Sequence, residues 1–351
     1  MQSRAEKRHA RRRQRSVIGG ARRQASQGLS DNHFLGIDLG GTQIRSVIAT
    51  LDGDRHEVVA RDERRTPRDG ADSIVRALAE SARASAREAG IPLHELVAAG
   101  CAAPGPLDHR SGLVHEAPNL VGFEEFPLAA RLSDALDALT VYVDRDTAMA
   151  AIAEGTIGAA RGVRDFVYVT VSTGLGGSIV SGGRMLRGAT NTAGEIGHFP
   201  VAFQLDTSRE AAADLPRCGC GSFGCAESFA AGRNMADAYG VTDAAEVFAA
   251  AARGDARATA IVTRAERALA NLAVGLVNVL NPALIVVGGS VADNRPDHVL
   301  GPMRRAIVDR AFRAPAAAVR VVPAALGGDV GMLGAAFAAR ERLSGRGEWF
   351  L

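Results

Sequence analysis

Twice in this chain a strand runs into a turn of hydroxyl residues and glycines and continues straight into another strand. That repeat restricts the fold more than any other feature. The first copy is Phe34-Leu-Gly-Ile-Asp38-Leu-Gly40-Gly41-Thr42-Gln43, followed by the β-rich run Ile44 to Leu51 and a turn at Asp52-Gly53. The second is Phe166-Val-Tyr-Val-Thr170-Val-Ser172-Thr173-Gly174-Leu-Gly176-Gly177, continuing through Val180 to Gly182-Gly183. In a dinucleotide-binding fold such glycines open a helix, and here they open a strand, which excludes that fold. A glycine-tipped hairpin can turn backbone N–H groups toward an anion. Thr42 adds a hydroxyl, and Asp38 at the strand end is placed to face a hydrated Mg²⁺. One glycine hairpin is usually only a turn. Two copies about 130 residues apart suggest a duplicated domain gripping a phosphate chain between its halves.

A third glycine element, Ala283-Leu-Ile-Val-Val287-Gly288-Gly289-Ser290, follows an apolar, alanine-rich helix expected from about Ala258 to Leu280. A strand that ends in two glycines lets a flat nucleobase or ribose come close to the backbone. Between the two hairpins, Val141-Tyr-Val143-Asp144-Arg145-Asp146-Thr147 reads as a strand ending near Val143 and a small-residue helix beginning after Asp146. Asp146 there has two readings, a helix N-cap or an acceptor for a hydroxyl proton in phosphoryl transfer, where orientation matters more than base strength.

Gly194-Glu195-Ile-Gly-His198 lies upstream of Cys218-Gly-Cys220-Gly-Ser-Phe-Gly-Cys225-Ala-Glu227. His198, Cys218, Cys220 and Cys225 form a ligand set for one tetrahedral zinc, and glycines 219, 221 and 224 allow a tight wrap around it. The alternative is three reduced, buried thiols. Four protein ligands leave no open coordination position, so the expected zinc is structural and holds Glu195 and Glu227 in place.

Every basic residue except Lys7 is an arginine. A folded part without lysine excludes Schiff-base amines, Walker-type phosphate lysines and the protein-kinase strand lysine. Residues 1–33 hold nine basic side chains against Glu6 and Asp31, a net +7. Without periodic apolar residues this reads as a disordered basic tail. No segment approaches membrane-span length and the thiols are spaced for a metal, so a cytoplasmic location is expected, with no membrane partner.

Together these motifs make the chain resemble the ROK family of bacterial sugar kinases and sugar-responsive repressors, from about Phe34 to Ala339. The resemblance implies an α/β, duplicated actin/Hsp70/hexokinase-like (ribonuclease H-like) two-lobed fold with a small zinc loop. Its expected parts are the tail 1–33, an N-terminal lobe 34–143 completed by a C-terminal helix 330–342, and a C-terminal lobe 144–329 carrying the zinc loop 198–227. It implies that Asp38, Gly40, Gly41, Thr42, Ser172, Thr173, Gly174 and Gly176 bind ATP phosphates with Mg²⁺, that Gly288 and Gly289 approach adenosine, and that Asp146 is the general base. Glu195, His198 and Glu227 would line the sugar site, with Gly105 and Asn119 reaching other hydroxyls. Convergent carboxylates, amides and backbone groups suit a polyol, whose hydroxyls each need a partner when taken from water.

Three departures stand out. Arg145 replaces the usual asparagine before the catalytic aspartate, and arginine cannot accept a hydrogen bond. It either enters the pocket as a substrate contact or swings out to a surface carboxylate. Gln43 stands where lysine or asparagine is usual, and the spacing from His198 to Cys218 is about ten residues longer, with Gln204 to Arg217 as the insert. The leading expectation is an ATP- and Mg²⁺-dependent kinase acting on a primary hydroxyl of a hexose or a sugar-like seven-carbon cyclitol, in a homodimer. The alternative is a sugar-responsive transcription regulator, which needs periodic apolar helices before the first hairpin. No specific nucleic-acid partner is expected.

Overall fold

The computed structural model describes residues 32–117, 120–202 and 215–345. Residues 1–31 of the expected tail, Asn119 and most of the expected insert lie outside the described residues, while His33, the last residue assigned to the tail, opens the first strand. In the N-terminal half, β1 (His33–Leu39), β2 (Gln43–Asp52) and β3 (Arg55–Arg65) form an antiparallel meander. Next come β4 (Ala98–Ala103) and a small antiparallel sheet of β5 (Leu107–Asp108), β6 (Leu113–Glu116) and β7 (Glu124–Phe126). Strand β8 (Val141–Arg145) joins β4 in parallel, giving the order β3-β2-β1-β4-β8.

The second half repeats the plan. Strands β9 (Phe166–Val171), β10 (Leu175–Ser181) and β11 (Arg184–Met185) meander, while β12 (Leu284–Gly288) and β13 (Arg320–Pro323) add in parallel, in the order β11-β10-β9-β12-β13. The duplication read from the two hairpins is therefore a duplication of whole sheets.

The residues explain the layering. All six residues of β4 and all five of β12 are buried, as parallel strands covered on both faces must be. The outer strand β3 alternates exposed, mostly charged residues with half-buried ones, which discourages pairing with another chain at that edge. On one face of the first sheet the helix Ala71–Ala89 buries Ile74, Val75 and Leu78, and Gly90 ends it in the left-handed region at φ 70°. The long helix of the second half runs Ala256–Leu280, with Asp255 accepting from the Ala258 amide at 2.8 Å. That cap starts it two residues before the apolar pattern does.

The C-terminal helix Val330–Leu343 lies against β1, β4 and the helix Asp146–Thr156, and bare glycines permit the approach. A Cβ on Gly100 would fall 1.9 Å from the Ala335 carbonyl oxygen, and one on Gly334 would fall 1.8 Å from that of Met149. A core running from Phe34 and Val47 through Met149 and Phe166 to Leu284 and Phe337 joins the two halves. Buried Glu154, at the end of the Asp146–Thr156 helix, accepts from the amides of Ala159, Ala325 and Leu326 at 2.6, 2.9 and 3.0 Å. A buried carboxylate is tolerated when fully bonded in this way. No helix among the described residues is long and apolar enough to cross a membrane.

Candidate active site

Strand β8 ends at Arg145, and Asp146 is the first residue of the helix that follows. The N-cap position belongs to Arg145, and no side chain caps the helix. Among the described residues Asp146 Oδ1 accepts only from the adjacent Thr147 amide, at 2.7 Å, so the N-cap reading of Asp146 does not hold. Asp146 keeps solvent-exposed surface, while protein atoms crowd its carboxyl group. That crowding, with the charges of Asp38 and Glu195 nearby, pushes its pKa to about 6, against opposing effects of the Thr147 amide and Arg145.

Arg145 points inward and is 2 % exposed. Its Nη1 donates to Glu195 Oε1 at 2.8 Å and its Nη2 to the Ala193 carbonyl at 2.7 Å, while Nε is buried without a partner. The swing to a surface carboxylate is thus not what the chain does. A Cβ on Gly105 would lie 3.2 Å from Arg145 Cγ, so Gly105 borders the methylene stem of that arginine.

The first hairpin closes tightly. The Gly40 amide donates to the Gln43 carbonyl at 2.9 Å, and Thr66 braces the tip through its hydroxyl on the Gly40 carbonyl and its amide on the Thr42 carbonyl. The Gly40 amide is thus engaged within the turn, whereas Gly41 and Thr42 are exposed. Asp38, directly across from Arg45 in the β1–β2 register, takes an ion pair from Arg45 Nη2 at 2.5 Å. Gln43 turns away to Glu63.

The second hairpin touches the rest of the site at several points. Gly176 packs on Thr147, where a Cβ would come within 3.1 Å of its methyl. Ser172 and Ser290 share a hydroxyl contact at 3.0 Å, which brings the Ser172-Thr173-Gly174 turn beside Gly288-Gly289. Gly289 has φ 97°, and a Cβ there would sit 2.6 Å from Thr170 Oγ1, so only glycine fits. The Leu175 amide donates to Glu227 Oε2 at 3.3 Å.

His198, Cys218, Cys220 and Cys225 converge, with all four candidate ligand atoms within 4.8 Å of one another. The separation of His198 Nδ1 from Cys218 Sγ is 3.4 Å and that of Cys220 Sγ from Cys225 Sγ is 3.7 Å. Tetrahedral zinc with Zn–S bonds of about 2.3 Å requires S···S edges of about 3.8 Å. The donor set therefore fits zinc in type, number and spacing. Cys218 Sγ also lies 3.8 Å from Glu227 Oε1, so the loop reaches a carboxylate of the cleft.

These contacts link the second hairpin, Gly288-Gly289, the Arg145–Glu195 pair beside Asp146 and the zinc loop, the charge of Asp38 relates the first hairpin to Asp146, and Asn119 lies outside the described residues. Two features escaped the sequence reading. One is Arg45, which strand alternation places on the face of Asp38. The other is buried Asp144, held by both Nη groups of Arg187 at 2.8 and 2.6 Å and by Arg342 at 3.3 Å. These arginines depress its pKa against the effect of burial. Arg342 also donates to the His109 carbonyl. Those partners are 43 and 198 residues away in sequence, and no local pattern signals them.

The ROK family model matches residues 34–342, so the chain belongs to the ROK family. A glucokinase of Halalkalibacterium halodurans is 31% identical over 334 residues, covering 90% of this chain and 97% of the relative. An N-acetylmannosamine kinase of Shigella flexneri is 33% identical over 316 residues, covering 88% and 98%. The crystal structure of a ROK family glucokinase from Streptomyces griseus in complex with glucose and AMPPNP aligns with a TM-score of 0.72 and 28% identity, over 88% of this chain and all of that one. The likeness confirms the two-lobed hexokinase-like fold.

Proposed function

We propose that this chain transfers the γ-phosphoryl group of ATP to a primary hydroxyl of a hexose or a hexose-like ring such as a seven-carbon cyclitol. The observation that carries the reading is the placement of Asp146. Its neighbour Thr147 packs against Gly176 of the second hairpin, Arg145 just before it anchors Glu195, and the charge of Asp38 in the first hairpin is near enough to raise its pKa. The relatives named glucokinase and N-acetylmannosamine kinase support sugar phosphotransfer as the class.

In this reading residues 34–143 with helix 330–342 form one lobe and 144–329 the other, and the nucleotide lies between them. Asp38, Gly40, Gly41 and Thr42 on one side and Ser172, Thr173, Gly174 and Gly176 on the other flank the phosphate chain, with Gly288 and Gly289 next to adenosine. Asp38 is the residue to hold hydrated Mg²⁺, which supplies charge neutralisation on the β- and γ-phosphates when bound. Glu195, His198, Glu227 and Gly105 present acceptors and backbone to the ring hydroxyls, and Asn119 is assigned to the same shell. Asp146 takes the proton of the primary hydroxyl as its oxygen bonds to γ-phosphorus. The bond from γ-phosphorus to the bridging oxygen breaks, releasing ADP and a phosphorylated product. A pKa near 6 keeps this carboxylate ionised at neutral pH and more basic than an ordinary aspartate.

His198, Cys218, Cys220 and Cys225 would hold the zinc, whose contribution when bound is rigidity. With four protein ligands it orders the loop next to Glu227 and fixes the imidazole of His198. The test is ADP release by the zinc-loaded chain with ATP and Mg²⁺ across hexoses, N-acylhexosamines and cyclitols. Substrate-dependent release with at least one ring bearing a CH2OH group supports the proposal, and none with any of them refutes it.

A further inference from the structure

The candidate site is rich in carboxylates. Asp38, Asp146, Glu195 and Glu227 all belong to it, yet a nucleoside triphosphate brings several negative charges of its own. Something on the chain must offset them. Lysine cannot, because the sole lysine is Lys7 in the tail. Three arginines around the Asp144–Asp146 segment are already committed. Arg145 is buried on Glu195 and the Ala193 carbonyl. Arg187 and Arg342 are both bound to Asp144, with side chains only 12% and 11% exposed.

Arg45 differs from these. It extends from β2 onto the carboxylate of Asp38 at 2.5 Å, and its Nη1 donates to the Gly328 carbonyl at 2.8 Å in the turn before the C-terminal helix. Its side chain is 31% exposed. Among the described residues two of its five N–H donors are used, and a guanidinium fork suits phosphate oxygens. Its partner Asp38 belongs to the hairpin flanking the proposed phosphate site and lies close enough to Asp146 to raise that group's pKa. Gln43, two residues before it on the same strand face, carries no charge and is bonded to Glu63.

We infer that Arg45 is a phosphate-binding residue of this chain, and that it exchanges Asp38 for the phosphate chain of the nucleotide. In the nucleotide-free protein its guanidinium neutralises Asp38. When ATP enters, Nη1 stays on the Gly328 carbonyl while the other donors pass to phosphate oxygens, and Asp38 is released to hydrated Mg²⁺. The ion pair therefore stores the cation beside the place where it is needed and keeps the empty cleft from accumulating negative charge.

This inference rests on the kinase reading, and calorimetry separates the two. ATP binding, with Mg²⁺ present, is measured on the full zinc-loaded chain, on Arg45→Gln, on Arg45→Lys, and on Arg83→Gln as a charge-matched control at the exposed Arg83–Asp137 pair. Loss of one charge-assisted phosphate contact weakens ATP binding by about tenfold to a hundredfold in Arg45→Gln. Arg45→Lys, which keeps the charge, recovers part of that loss, Arg83→Gln matches the parent, and the KM for the sugar stays level. Equal ATP affinity in Arg45→Gln and the parent overturns the inference while leaving the kinase reading in place. An equal loss in KM for the sugar and for ATP also overturns it, since that pattern belongs to a structural brace. If the parent itself binds no ATP, the kinase reading fails and this inference with it. Should Arg45→Gln not fold, the folded Arg45→Lys is measured in its place: ATP affinity below the parent's with the sugar KM level supports the phosphate role, and ATP affinity equal to the parent's, or a matching loss in the sugar KM, overturns it.

Discussion

Arg145 Nη1 donates to Glu195 Oε1 at 2.8 Å, joining the end of β8 to a loop 50 residues further on. The Arg145 side chain is 3% exposed while that of Glu195 is 47% exposed. The pair therefore leaves Glu195 open to solvent while its counter-ion is buried. Oε1 is held by Arg145, which limits how Glu195 can serve a ring hydroxyl.

Replacing Arg145 with asparagine removes both the Glu195 anchor and the bond to Ala193. The expected outcome is a change in preference among glucose, N-acetylmannosamine and cyclitols of about 1–3 kcal/mol, the worth of one polar contact in a buried site. Competition assays reading kcat/KM for each substrate measure it. Unchanged ratios would show that Arg145 merely braces the loop.

The pKa of Asp146 sets a pH dependence of definite sign. Its folded value of about 6 lies above the ordinary 3.8. The native state therefore binds more protons between those values, and the resulting stability is full below about 3.8 and is lost as pH rises through about 6. Activity runs the other way, because the base must be ionised, and kcat/KM should climb as pH rises through about 6. Thermal midpoints across pH 4–7 for the parent and Asp146→Asn check the first point, since the variant should lack this contribution. A pH–rate profile checks the second.

Purified chain should carry about one zinc, as the closed four-ligand set requires. Cys220→Ser should lose metal, thermal stability and turnover together. Full turnover in chelator-treated, metal-free protein would contradict the role given to the loop in ordering the region of Glu227.

Asp144 is 1% exposed and answers two arginines. Asp144→Asn leaves Arg187 and Arg342 buried without their counter-charge, which should cost about 3–5 kcal/mol of stability. Denaturant titration measures this, and a loss under about 1 kcal/mol would show that the network relaxes to water.

The fold was legible where local chemistry dictates it. The glycine turns at Gly40-Gly41 and Ser172-Thr173-Gly174 gave both hairpins, and their spacing gave the duplication. The Cys218, Cys220 and Cys225 array with His198 was equally readable, because metal ligands are constrained in type and spacing. What depends on long-range packing was not. Whether Arg145 turned inward hinged on Ala193 and Glu195 offering acceptors from another loop. The Asp144–Arg187–Arg342 cluster joins three distant segments, and Asp146 was readable as an N-cap until the strand proved to run through Arg145.

The central claim is that Asp146 takes the proton of the acceptor hydroxyl between the two hairpins. The most direct measurement is the turnover of Asp146→Asn at saturating ATP and sugar, with ADP affinity measured on the same sample. The expected result is turnover lowered by roughly a hundredfold or more with ADP affinity unchanged. Near-normal turnover by a correctly folded Asp146→Asn would contradict it.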